Sequence, residues 1–358
     1  MKVFRQQGFT IVELMVAATL GLLILAGAIS MLISNKRIYT EQDELGRLQE
    51  NARFAMDMLI RDIRMAGHTG CNGDVASVEN NITGAGVVTS LYSFTPVEGA
   101  EGANNWQPSN STQDVAGMLA GSDSITVRYL ADTDIYTMTP AMSAGTSQIF
   151  TSGGSGIALG DVLAIADCTS ADIVVATNIG LTGAVGCSST GPTDGACLDT
   201  VTHAAGVVVG ALPGNAVAAL SRNYDASSTI FRYVTNRYFV ANDAAGNPVL
   251  NRRSSEVNPV NPEEVIEGVE NMQILYGEDT AGNDQIADTY VTAAAVADWD
   301  NVVSVRVSLL MRSVEEYGPD QDNATYDLLG TIIDPVDDRR RRRVFTATIQ
   351  LRNRIASS

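Results

Sequence analysis

From Leu14 to Ser34 the chain carries no charged side chain. A helix needs roughly 20 such residues to cross a bilayer core. Farther on, the apolar positions become periodic: Leu45, Leu48, Ala52, Ala55, Leu59, Ile63 and Ala66 recur at three- and four-residue steps, drawing one stripe along a helix. Glu50, Arg53, Asp57, Arg61 and Arg64 fall on other faces, and Arg53, Asp57 and Arg61 are spaced to pair. Gly67 stands where such a helix should stop, with Arg61 and Arg64 near the negative end of its dipole. The pattern predicts one helix over 9–66, about 85–90 Å long at ~1.5 Å per residue. Its segment 9–34 suits lipid. Its segment 35–66 is amphipathic and lies on a globular head formed by 67–358.

In the head the period shortens to two. Ser124–Leu130 alternates cleanly, and Asp161–Ala166, Ile173–Ala176 and Gly206–Val209 read as buried strands. Ile230–Val234 and Arg237–Val240 read as neighbouring strands across a tight turn at Thr235-Asn236. Glu263–Gly277 reads as a short helix running into a strand, Val302–Met311 as a strand, and Arg343–Arg354 as a closing strand. Gly- and Ser-rich turns separate them, notably Ser152–Gly156 and Cys187–Gly195. The expected class is α+β: a very long N-terminal helix carrying a head rich in antiparallel sheet.

One acid interrupts the apolar start. Glu13 follows Gly8-Phe9-Thr10-Ile11-Val12 and precedes the uncharged run, where hydrocarbon penalises a carboxylate by several kcal/mol. A secretory signal would place small residues and a cut after a shorter apolar core. Lys2 and Arg5 fit a cytoplasmic flank, but a plain signal anchor leaves Glu13 and the Gly8-Phe9 junction unexplained.

The segment Gly8–Glu13 with its apolar continuation resembles the class III signal of type IV pilins and type II secretion pseudopilins. Leu48–Ala55, Arg64–Cys71, Glu263–Gly277, Val302–Met311 and Arg343–Arg354 together resemble PilW-type minor pilins, a type similar to the J-class pseudopilin. The likeness covers roughly 1–75 and 260–356, and 80–225 only loosely. It implies a type IV pilin-like fold in which a prepilin peptidase removes the leader 1–8 after Gly8 and methylates Phe9. Glu13 would assist assembly by pairing with a neighbour's amino terminus. It also implies a single-pass inner-membrane protein with a periplasmic head, later housed at the pilus tip. Its partners would be other minor pilins, the major pilin and a tip adhesin. The implied work is to initiate pilus assembly by non-covalent packing. A pseudopilin role in type II secretion, or an adhesive role at the tip, is the alternative. Many major pilins kink this helix at a proline, but the first proline here is Pro96. Any bend must use Gly21 and Gly27, each worth about 1 kcal/mol of helix stability against Ala. Alternatively these glycines allow close helix packing.

Composition narrows the remaining options. The chain has 358 residues, 45% of them apolar, and a formal charge of −18. Losing Lys2 and Arg5 with the leader leaves 41 acids against 21 bases. That balance excludes a broad nucleic-acid surface. Cys71, Cys168, Cys187 and Cys197 lie on the translocated side, where an oxidising compartment favours disulfides. Of three possible pairings, Cys187 with Cys197 is favoured as a local clip, leaving Cys71 to Cys168. His68 and His203 are the only histidines and no Cys-x-x-Cys occurs, so neither a zinc site nor another cofactor is expected. Asp279–Asp288 has the flavour of a calcium loop, but Ala281 stands where a ligand is wanted. Asp320–Asn323 with Asp327 is a second acidic cluster; neither is assigned to a metal. Arg339–Arg343 is a basic run that either docks on an acidic neighbour or is neutralised by Asp334, Asp337 and Asp338. Gly153-Gly154-Ser155-Gly156 lacks the final glycine of a nucleophile elbow, and no catalytic residue is expected.

Overall fold

The computed structural model describes residues 10–70, 78–83, 95–102, 118–137, 142–152, 155–167, 169–183, 197–207, 214–255, 262–282, 284–317 and 320–353. One helix, α1 (Ile11–Met65), runs without interruption through Gly21 and Gly27 for 55 residues, about 80 Å. Its lower part stands clear of the head. From Glu44 onward one face is covered: Leu48, Ala52, Ala55, Met56, Leu59, Asp62 and Ile63 are buried. Leu45, expected on this stripe, is instead largely exposed, and Glu44 is buried in its place. Arg53 pairs with Asp57 as its spacing allows, but Arg61 turns to Asp62.

The described head is built of short strands. The first are β1 (Val78–Asn80), β2 (Ile82–Thr83), β3 (Val97–Ala100), β4 (Ser124–Thr137), β5 (Gln148–Ser152) and β6 (Val162–Ala166). Next come β7 (Ala171–Val175), β8 (Asn178–Gly183), β9 (Cys197–Thr202), β10 (Gly214–Asn215), β11 (Thr229–Asn242) and β12 (Pro248–Ser254). The last are β13 (Glu263–Glu267), β14 (Val269–Glu278), β15 (Thr289–Val291), β16 (Val302–Arg312), β17 (Tyr326–Leu328), β18 (Thr331–Ile333) and β19 (Arg342–Gln350). An eight-stranded sheet runs β1-β7-β6-β11-β12-β13, with β4 also on β11 and β3 on β4. Only its β1–β7 pair is parallel. An antiparallel four-stranded sheet runs β15-β14-β16-β19, and a three-stranded one β5-β9-β8.

Helix and sheets share one core. Leu48, Ala52, Leu59 and Ile63 of α1 pack with Val97, Val127, Tyr238, Leu250, Ile274, Val305, Leu309 and Ile349. In the middle region β6 and β7 are buried on both faces; β6 is apolar throughout, and β7 is apolar apart from the buried Asp172. Three expectations are corrected. Thr235-Asn236 is no turn: both residues are buried inside the single strand β11, paired with Arg128 and Val127 of β4. Glu263–Glu267 is an edge strand, because pairing with β12 and the Arg252–Glu263 ion pair outweigh the helix preference of glutamate. Gly206 lies in a turn and Val207 is exposed, so no strand begins there; Val208 and Val209 lie outside the described residues. The closing strand ends at Gln350, short of its expected extent.

Candidate assembly surface and helix–head junction

At the lower end, Thr10 caps α1: its Oγ1 accepts from the Glu13 backbone N–H at 3.3 Å. Glu13 therefore sits in the first turn, where the helix dipole favours a negative charge. Around and above it Ile11, Val12, Leu14, Leu22, Leu23, Ile24, Leu32 and Ile33 are all exposed. The helix is long and apolar enough to cross a membrane, and its apolar segment is uncovered among the described residues. Apart from the helix's own nearby backbone, nothing among the described residues lies within 4 Å of where a Cβ would stand at Gly21 or Gly27. Gly8 and Phe9 lie outside the described residues.

At the upper end a polar latch joins helix to head. The Asp62 carboxylate, buried on the apolar stripe, accepts from Tyr238 OH at 2.6 Å and Asn236 Nδ2 at 2.7 Å. Burial first, and then the adjoining Asp62 charge, hold the Tyr238 phenol well above its ordinary range. Helix termination is equally specific. Gly67 takes φ +75°, a conformation glycine adopts without strain, and its N–H donates to the Arg128 carbonyl at 2.9 Å. Asn353 Nδ2, just past β19, donates to the carbonyls of Arg64 and Met65 at 3.3 Å each. These otherwise open helix-end acceptors are satisfied by the far end of the chain.

The basic run is mostly internal structure. The Arg342 side chain is fully buried and bonds Glu270, Asp322 and Asp338. Arg340 pairs with Asp338, while Arg339 and Arg343 are exposed. The acidic loops are also occupied internally. Asp288 Oδ2 accepts the N–H groups of Thr280 and Ala281 at 2.8 Å, and these bonds hold its carboxyl below the usual range. Asp279 Oδ2 accepts from Gln285 N–H, Asp322 from Tyr326 OH, and Asp327 from Gly330 N–H. Ser155, of the elbow-like segment, donates through both N–H and Oγ to Asp199. Cys197 opens β9 opposite Gly183, but its side chain, like Cys71, Cys168 and Cys187, lies outside the described residues.

Residues 3–29 match the prokaryotic N-terminal methylation motif. Residues 237–353, from within β11 to beyond β19, match the type IV pilus-assembly protein W family. Together these matches support a type IV pilus minor pilin of the PilW type. Its matched C-terminal part supplies β12 to β19, including the β14-β16-β19 surface on which α1 lies, and also Tyr238 of the latch. The strands β1 to β10 fall outside both matches. No curated protein and no solved structure matches the chain. The N-terminal methylation motif and the exposed apolar helix suit a membrane-anchored pilin, and the matched families point to a structural role. Sequence reading missed Asp62, Asn236 and Tyr238. The available signal was position: Asp62 follows Leu59 by three residues and so lies on the buried stripe.

Proposed function

We propose that this minor pilin helps to initiate type IV pilus assembly and stays in the tip complex with other minor pilins. It acts by packing its helix and head against neighbours. The observation that carries this reading is the contrast along α1. The apolar part stays uncovered among the described residues, whereas the rest is fixed to a large head by the stripe and the Asp62 latch. An apolar helix with no intramolecular partner is built for lipid first and other helices afterwards. In this reading peptidase cleavage follows Gly8, Phe9 becomes the methylated N-terminus, and Glu13 receives a neighbour's amino group. The head stays in the periplasm until assembly. A bulky head at every helical step would crowd its neighbours, which favours a terminal position.

The test is deletion with localisation. Surface pili should fall sharply while major pilin accumulates in the inner membrane, and labelled protein should mark filament ends. Uniform labelling along the shaft would reassign it as a shaft subunit. Intact pili with a protein-secretion defect would instead make it a pseudopilin.

A further inference from the structure

Glu44 is the first residue of α1 to be buried as the helix enters the head. It is 6% exposed, and its Oε2 has no hydrogen-bond partner among the described residues. Glu41 lies three residues earlier on the same helix face and is half-buried. Tyr317, from the segment after β16, brings a hydroxyl that is also sealed from solvent and unpartnered. Burial first, then the Glu41 and Glu44 carboxylates, raise that phenol above its ordinary range, with Arg341 opposing them.

The nearby cations are engaged elsewhere or stand apart. Arg47 pairs with Asp43 at 3.3 Å, and Arg340 and Arg342 pair with Asp338 and Glu270. The Arg341 N–H is held by Ser313 Oγ at 3.1 Å, and its guanidinium makes no ion pair among the described residues. Withdrawing one oxygen of a carboxylate from water without a partner is unfavourable. The arrangement is therefore incomplete in the isolated chain. A calcium ion would want about six to eight oxygens, and no group of three or more acidic, histidine or cysteine side chains gathers among the described residues. An ammonium or guanidinium group is satisfied by two or three acceptors, which Glu44, Glu41 and Tyr317 provide.

We propose that Glu44, with Glu41 and Tyr317 beside it, is a socket for a lysine or arginine side chain of a neighbouring subunit in the assembled pilus. This deepens the assembly reading and rests on it. A subunit packed along the exposed helix meets the head where α1 enters it, and that is where the socket lies.

Two measurements test the socket. The full-length protein in detergent micelles is melted in sodium chloride and in n-butylammonium chloride at equal ionic strength. Glu44→Gln should melt above the parent in sodium chloride, and butylammonium should raise the parent's Tm but not the variant's. In cells, Glu44→Gln should reach normal levels while surface pili fall about tenfold, equivalent to ~1.4 kcal/mol of lost coupling between subunits. A lower Tm for Glu44→Gln would mean that the carboxylate is already satisfied within the chain and would refute the socket. An equal fall in Tm for Arg341→Ala and Glu44→Gln would identify Arg341 as that internal partner and refute it equally. If Glu13→Val abolishes pili while Glu44→Gln leaves them normal, the socket fails and the assembly reading stands. If pili survive deletion of the whole chain, both fall.

Discussion

Removing the Asp62 carboxylate strands two donors at once, Tyr238 OH and Asn236 Nδ2, in a region closed to water. Asp62→Ala should therefore lower unfolding stability by about 3 kcal/mol in denaturant titrations, whereas Tyr238→Phe, which removes one bond with its donor, should lose only about 1 kcal/mol. Glu13 calls for a different measurement, because it lies at the exposed foot of the helix. Glu13→Val should insert and accumulate normally in the membrane yet give no pili by electron microscopy, since a carboxylate in hydrocarbon needs a positive partner. Normal pilus numbers would show that the charge is dispensable. The two acids also differ in legibility. Glu13 stands out in the sequence because nothing else in its surroundings is charged. Asp62 was harder to read: its spacing from Leu59 puts it on the stripe, but among Asp57, Arg61 and Arg64 it looks like one more solvated residue, and its partners on β11 are distant in sequence.

Among the elements, α1 was legible almost to the residue, because a long three-to-four period and a terminal glycine are local signals. Strands with clean alternation or unbroken apolar runs, such as β4, β6 and β16, were legible for the same reason. The failures are non-local. Thr235-Asn236 resembles a turn until Asn236 is seen bonding to a helix 174 residues away. Glu263–Glu267 resembles a helix until β12 supplies its ladder. Between β13 and β14, Gly268 turns the chain from one sheet into the other at φ +81°, and a Cβ there would stand 2.7 Å from the Arg312 carbonyl oxygen. Gly268→Ala should cost about 1–3 kcal/mol, read as an earlier urea midpoint with an unchanged slope. The corresponding change at exposed Gly246, with open space around it, should lose less despite a similar φ of +84°.

Across the whole molecule two buried groups set opposing pH dependences. His203 is fully buried, its ring nitrogens have no partner among the described residues, and burial pushes its pKa down to about 4. Below about pH 6.5 the unfolded chain takes up a proton that the folded chain refuses. Stability from this group therefore falls between pH 6.5 and about 4, by up to ~1.4 kcal/mol per pH unit. Asp123 works the other way: burial raises its carboxyl to about 7, despite the Ile274 N–H it accepts at 2.8 Å. The folded state binds that proton first, so this group adds stability as pH falls from 7 towards 3.8. In melts across pH 4–8, His203→Leu should flatten the acid-side loss. Asp123→Asn should be more stable than the parent at pH 8, with the difference shrinking towards pH 5. There is also a consequence in time. The helix end is capped by Asn353, which reaches back 289 residues to Arg64, and the stripe is roofed by β14, β16 and β19. During synthesis the helix emerges first, and its cover is made last. Until the final strand has crossed the membrane the stripe from Leu48 to Ile63 lacks part of its cover, which a chaperone or the bilayer surface would have to supply. A chain cut short before β19 should be degraded rather than left half-docked.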